Sequence, residues 1–285
     1  MSGSITFMTY NVWSCEHVAV YRRIKSISEI IEQHDPDVIF LQEVTHYIYS
    51  LFQEAPWWEN YTKFPSKEKY QKNHSSFCLL LSKLDAGHVV LPQYSNIGSS
   101  KPMGVHEAAP PARGDVQGCR LASPAPSDVG CVHRRAQASA FLEHFDAIHR
   151  LLAPACNERS FVLDENVVLG GDLDWDDDLD GPLRLGDGWW VDAWLDLRGG
   201  EAGGWTYDAV ANQMLKVLNL TAERRRPDRF SCKLRDFTLE SIEMLGVEAI
   251  PDVIRFDDKG GFVPRQSFYT DLTFDAVRSL RAAFS

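Results

Sequence analysis

Ile5-Thr-Phe-Met-Thr-Tyr-Asn11, the segment from Val20 to His34, and Asp37-Val-Ile-Phe-Leu-Gln-Glu43 together decide the fold. Ile5, Phe7 and Thr9 alternate with Thr6, Met8 and Tyr10. A period of two predicts a half-buried strand, here ending on the amide of Asn11. Val20, Ile24, Ile27 and Ile31 then fall on one face of a helix. That helix must stop near His34, because Asp35-Pro36 cannot continue it. The run from Asp37 is apolar until it ends in the Glu43 carboxylate, as a strand buried on both faces would be. Strand, helix, strand is the opening of a mixed α/β domain.

Further along, Phe77-Cys-Leu-Leu-Leu-Ser82 reads as another buried strand, and Val89-Val-Leu91 as a shorter one near it. Residues 95–131 are rich in Gly, Ala, Pro, Ser and Arg and show neither period, so they are expected to be divergent, poorly ordered loop. Apolar residues recur at helical spacing from Arg134 to Leu152, before Pro154. Asn166-Val-Val-Leu169 is a buried strand running into Gly170-Gly-Asp172. Short aromatic elements at Gly188–Trp194, a turn at Gly203-Gly204 and strands near Asp228–Leu234 and Ser241–Met244 follow. With no repeat or linker in sight, one domain over residues 1–285 is the simplest organisation.

The chain has 285 residues, 44% hydrophobic and 24% charged, with 29 Lys+Arg against 40 Asp+Glu for a net charge of −11. This is globular composition, neither fibrous nor disordered. The first residues lack the basic and apolar regions of a secretory leader, and no apolar run approaches the roughly 20 residues a membrane span requires. The six cysteines form no CxxC pair and no Cys/His zinc spacing. An intracellular protein with reduced thiols and no structural zinc is expected. The acidic balance repels nucleic acid at long range, so any DNA contact requires a local basic groove.

Three predicted strands end in polar groups: Asn11, Glu43 and Asp172. Strand ends are where α/β folds gather ligands and catalytic groups. Two carboxylates and an amide make a hard-oxygen set suited to Mg²⁺ that keeps most of its waters, which predicts that the three converge at one end of the fold. The acidic run Gly171–Gly181 carries Asp176, Asp178, Asp180 and Gly181 at calcium-loop spacing. The strand before it, Pro182 and Arg184 argue against calcium and favour a solvated acidic turn.

Thr9-Tyr-Asn-Val-Trp13, Leu41-Gln-Glu-Val44, Gly170-Gly-Asp-Leu-Asp-Trp-Asp-Asp177, Gly204-Trp-Thr-Tyr-Asp208 and Arg226-Pro-Asp-Arg-Phe230 occur in that order. In these motifs the chain resembles the endonuclease/exonuclease/phosphatase superfamily and, within it, the plant tyrosyl-DNA phosphodiesterase 2 group, over residues 5–92 and 132–274. The resemblance implies a four-layer α/β sandwich, with two mixed β-sheets face to face and helices outside. It implies a Mg²⁺-dependent phosphodiesterase, Mn²⁺ being the substitute ion, that releases tyrosyl adducts from DNA 5′ ends. Such repair work places the protein in the nucleus, with the cytoplasm as the alternative. No membrane is implied, and no protein partner is indicated. By the same resemblance Glu43 holds the metal, Asn11 orients the phosphate or a metal water, and Asp172 is the base directing the attacking water. Tyr207, next to Trp205, falls where an aromatic meets the DNA end, and Asp228 has a supporting role.

The chain departs from the family pattern at several places. Gly118-Cys-Arg-Leu-Ala-Ser123 puts Arg120 where a phosphate-site histidine belongs, and as a fixed cation it remains a candidate for binding the phosphate. Asp174 replaces the Asn of the Gly-Asp-x-Asn motif but remains a candidate catalytic carboxylate. Gln266 and Ser267 stand in place of an Asp-His pair, and no histidine follows His149. These changes imply an impaired enzyme. The alternative is a catalytically dead relic that binds metal, phosphate or nucleic-acid ends.

Overall fold

The computed structural model of the chain describes residues 4–64, 76–84, 104–108, 119–123, 166–183, 190–199, 203–212, 224–234, 237–250 and 277–284. In chain order its elements are β1 (Ser4–Asn11), α1 (Val20–His34), β2 (Val38–Val44), α2 (His46–Gln53), β3 (Thr62–Phe64), β4 (Phe77–Ser82), β5 (Gly104–Ala108), β6 (Cys119–Ser123), β7 (Asn166–Asp172), α3 (Asp177–Asp180), β8 (Val191–Asp192), α4 (Ala193–Arg198), β9 (Tyr207–Asp208), β10 (Arg224–Arg225), β11 (Asp228–Lys233), β12 (Phe237–Leu245) and β13 (Val277–Phe284). One sheet runs β12-β13-β1-β2-β4-β3 and the other β5-β6-β7-β11-β8, while β9 and β10 form a two-stranded ribbon. The β1/β2 and β6/β7 pairs are parallel and the rest antiparallel, so both large sheets are mixed.

The pleat of β1 and β2 sorts side chains into two cores. Met8, Tyr10, Ile39 and Leu41 point to one face of the first sheet, where they meet Val20, Ile24, Ile27 and Ile31 of α1 and Ile48, Tyr49 and Phe52 of α2. The alternate residues Ile5, Phe7, Val38 and Phe40 meet Val168, Phe230 and Cys232 of the second sheet. The sheets therefore pack face to face, and the architecture is the α/β sandwich that the family resemblance implies. Their spacing is set by aromatic contacts, with Phe230 edge-on to Phe7 at 6.5 Å and to Phe40 at 6.2 Å. Gly170 lies beneath this cluster, where a Cβ would come within 2.6 Å of the Phe230 ring and 2.9 Å of Phe40.

α1 ends as its sequence dictates: Asp35 turns left-handed (φ 44°), returns its N–H to the Ile31 carbonyl, and Pro36 follows. Arg23, buried on the same face, was not anticipated. It donates to the carbonyls of Val12, Trp13, Cys15 and Val18, so α1 pins the loop that leaves β1. Burial lowers its guanidinium to about 10. α2 was also unforeseen; Thr45 caps it by accepting from the Ile48 N–H at 3.1 Å.

Within residues 95–131 only 104–108 and 119–123 are described; their backbone forms β5 and β6, with β6 parallel to β7, and the expectation of irregular loop for the remainder lies outside the described residues. Pairing against a formed neighbour overrides weak local propensity. The strand read at 89–91 and the helix read at 134–152 lie outside the described residues, as do Gln266 and Ser267. Among the described residues no helix is long and apolar enough to cross a membrane.

Candidate active site

β1 and β2 run parallel, with Asn11 level with Gln42, so both deliver their C-terminal residues to the same end of the first sheet. β7 of the second sheet ends there too. Asn11, on the inter-sheet side of β1, donates its Nδ2 to Asp172 Oδ2 at 2.8 Å and Glu43 Oε1 at 3.3 Å. Its Oδ1 accepts the Trp13 N–H at 2.9 Å, which fixes the amide orientation. Asn11, Glu43 and Asp172 thus come together across both sheets.

Local backbone geometry aims the two carboxylates. The β2/β4 ladder shifts register between Leu41 and Val44, and Glu43 sits in this irregularity at φ 57°. A bulge re-aims a side chain at some cost in strain. Glu43 Oε2 accepts from Ser14 N at 2.9 Å and Ser14 Oγ at 2.7 Å, so the loop pinned by Arg23 holds the glutamate. Asp172 Oδ1 accepts the Asp174 N–H at 2.6 Å, and Asp174 is itself left-handed at φ 49°. Asp228, with 0% exposure, faces Asp172 across the β7/β11 ladder. Burial pushes the Asp172 carboxyl well above the usual carboxylate range, and the charges of Asp228 and Asp174 push the same way. Hydrogen bonds from Asn11 and the Asp174 N–H oppose them.

This donor set suits one hard, largely hydrated divalent cation. Its groups are carboxylate and amide oxygens, and a buried carboxyl crowded by like charges gains from a cation beside it. Among the described residues no three His, Cys, Asp or Glu side chains form a ready cage.

The other predicted residues are placed as follows. Asp174 Oδ1 pairs with Arg225 Nη1 at 2.6 Å. Tyr207 is only 2% exposed, and the Arg225 guanidinium lies 4.7 Å from its ring centroid. The ring is therefore buried, with the Arg225 guanidinium over one face. Trp205 is half-buried. Thr206 accepts the Asp228 N–H at 3.1 Å, tying the Gly204–Asp208 motif to the start of β11. Gly204, at φ +67°, leaves no room for a Cβ beside the Trp194 ring. Of Arg120 the backbone is described: it lies in β6, level with Val167 of β7.

Sequence reasoning missed the ion network beneath this end. Arg229 pairs with Asp177 at 2.7 Å and Asp192 at 3.2 Å, and Arg226 reaches Asp192 at 3.3 Å. The ion pairs of the Arg-Pro-Asp-Arg motif therefore run through its arginines, while Asp228 acts on Asp172. The acidic run is not a solvated turn. Asp176 and Asp180 are buried, Asp176 caps α3 through the N–H groups of Asp178 and Leu179, and Asp180 accepts the Asp176 N–H. Carboxylates spent on caps and arginines also leave the calcium reading without its ligands.

The chain, an α/β sandwich with polar strand ends from both sheets at one rim, belongs to the endonuclease/exonuclease/phosphatase family, whose pattern matches residues 8–218. Members of this family are hydrolases of phosphoester bonds and generally use divalent metals. Truncated TDP2 from Caenorhabditis elegans is similar in structure, with a TM-score of 0.71 at 16% identity, covering 99% of this chain and 98% of that one. TDP2 from D. rerio complexed with a single-strand DNA product gives 0.67 at 15%, covering 98% and 99%. A mannosyl-6-phosphatase from Bacteroides thetaiotaomicron gives 0.66 at 13%, covering 98% and 100%. No curated protein matches the chain.

Proposed function

We propose that this chain is a Mg²⁺-dependent phosphodiesterase of the 5′-tyrosyl-DNA type, working below the rate of a family member with intact histidines. The observation that carries the reading is the bridge from Asn11 to Glu43 and Asp172 across the two sheets. Glu43, with Asp172 beside it, would hold the cation, which neutralises charge developing on the phosphoryl oxygens. Asn11 keeps both carboxylates in register. Asp172, oriented by Asn11 and the Asp174 N–H, would accept a proton from the attacking water. The fold of the TDP2 complexed with single-strand DNA product supports a DNA end as substrate, and the nucleus as the place of work follows from that substrate.

Tyrosine release from a 5′-tyrosyl oligonucleotide, with and without Mg²⁺, tests the proposal. Release should require Mg²⁺ and fall about 10²–10³-fold or more in Glu43→Ala. Metal-independent release, or release untouched by Glu43→Ala, would overturn it. The relic reading is favoured by one specific observation, the absence of any histidine after His149. It prevails if Mg²⁺ raises the melting temperature of the protein, Glu43→Ala removes that rise, and no tyrosine is released.

A further inference from the structure

We propose that Arg225 is a phosphate-contacting residue of this site, aimed by Asp174 and Tyr207. This rests on the phosphoester-hydrolase reading of the Asn11–Glu43–Asp172 end. Arg224-Arg-Arg226 are three consecutive cations, and the structure gives them different acidic partners. Arg224 turns to Asp208, Arg226 to Asp177 and Asp192, and Arg225 to Asp174. Asp174 donates its backbone N–H to Asp172, so one chain of contacts runs from Glu43 through Asn11, Asp172 and Asp174 to Arg225.

The chemistry of the pair follows from its charges. Asp174 stands where the family motif has Asn, adding a negative charge next to Asp172. Arg225 balances that charge at 2.6 Å. Its planar fork can serve a carboxylate through one nitrogen and a phosphate through another. Tyr207 lies against one face of the guanidinium at 4.7 Å, so ring and carboxylate hold it before a ligand arrives, and little rotamer freedom remains to be lost on binding. The side chains of Arg225 and Asp174 are 15% and 24% exposed, whereas Tyr207 is 2% exposed. An incoming nucleotide therefore meets the guanidinium and not the tyrosine ring.

Binding, measured apart from turnover, tests this. Fluorescence anisotropy compares a 5′-phosphorylated single-stranded oligonucleotide with the same strand bearing a 5′-hydroxyl, and inorganic phosphate serves as competitor. The wild-type chain should prefer the 5′-phosphate. Arg225→Gln should lower that preference about tenfold, about 1.4 kcal/mol, leaving hydroxyl-strand affinity unchanged. Asp174→Asn should keep most of the preference, since the amide oxygen can still accept from the guanidinium and the cation remains. Competition by inorganic phosphate against the phosphorylated strand alone should vanish in Arg225→Gln. No preference in the wild type, full preference in Arg225→Gln, or equal loss in Arg225→Gln and Asp174→Asn would each overturn the proposal, the last by reducing the pair to a structural one. If Arg225→Gln does not fold by circular dichroism, Arg225→Lys is read in its place; partial loss supports the proposal and no loss overturns it. Failure of tyrosine release would sink the turnover reading while leaving these ratios readable.

Discussion

Beneath α1 and α2 the first sheet meets a core of rings: Tyr49 stands edge-on to Trp58 at 5.1 Å, Trp57 to Tyr61 at 5.9 Å, and Phe52 tilts against Trp57 at 5.8 Å. At the rim where β1, β2 and β7 end, the same sheet meets Asp172, behind which lie the charged groups of Asp174, Asp228, Arg225, Arg226 and Arg229. The first region gains from burial at about 25 cal/mol per Å² of apolar surface. The second buries charge, which stabilises little and costs heavily when a partner is lost. One sheet thus carries its stability on one face and its chemistry at one end.

The largest expected change lies at the rim. The fourfold variant Arg120→His, Asp174→Asn, Gln266→Asp, Ser267→His restores the family pattern and should raise tyrosine release by about 10²–10⁴-fold. Wild-type release already near a median turnover of about 10 s⁻¹ would show that these substitutions do not limit the chain. On the ring side, Phe52→Ala empties a fully buried position and should cost about 3–5 kcal/mol in urea unfolding. The melting response to Mg²⁺ should survive below the lowered midpoint; its loss would mean that the two regions are not separable.

The smallest effect has the opposite sign. Asp172 binds its proton more tightly folded than unfolded. The stability it contributes is therefore present below the ordinary carboxylate range and lost as pH rises through its raised value. Without Mg²⁺, Asp172→Asn should raise the melting temperature at neutral pH, about 2–4 °C for each kcal/mol of repulsion relieved. The gain should shrink under acid. A lower melting temperature at neutral pH would show that the carboxylate is satisfied without a cation.

Periodicity made β1, α1, β2, β4, β7 and β11 legible, because each buries a face whose spacing the chain must keep. β5 and β6 were missed because their order comes from pairing with each other and, through β6, with β7, and no local pattern announces a neighbour. α2 went unread, although Thr45 before an apolar run was a cap signal. At the site, Asn11, Glu43 and Asp172 could be read because each ends a strand. Arg225 could not, since three adjacent arginines look alike until the fold gives each its partner. The cation over Tyr207 was hidden for a related reason: a motif fixes which residue stands at a position, and only the fold shows what stacks on it.

Gly170 lies two residues before Asp172, under Phe40 and Phe230. Those rings act as a spacer between two plates, and the glycine lets the plates close onto it. The opening at the rim is then gauged by packing two residues below, like the jaws of a caliper set by its screw. A methyl group at Gly170 would widen the jaws from beneath and lengthen the reach from Asn11 to Asp172, without touching either residue.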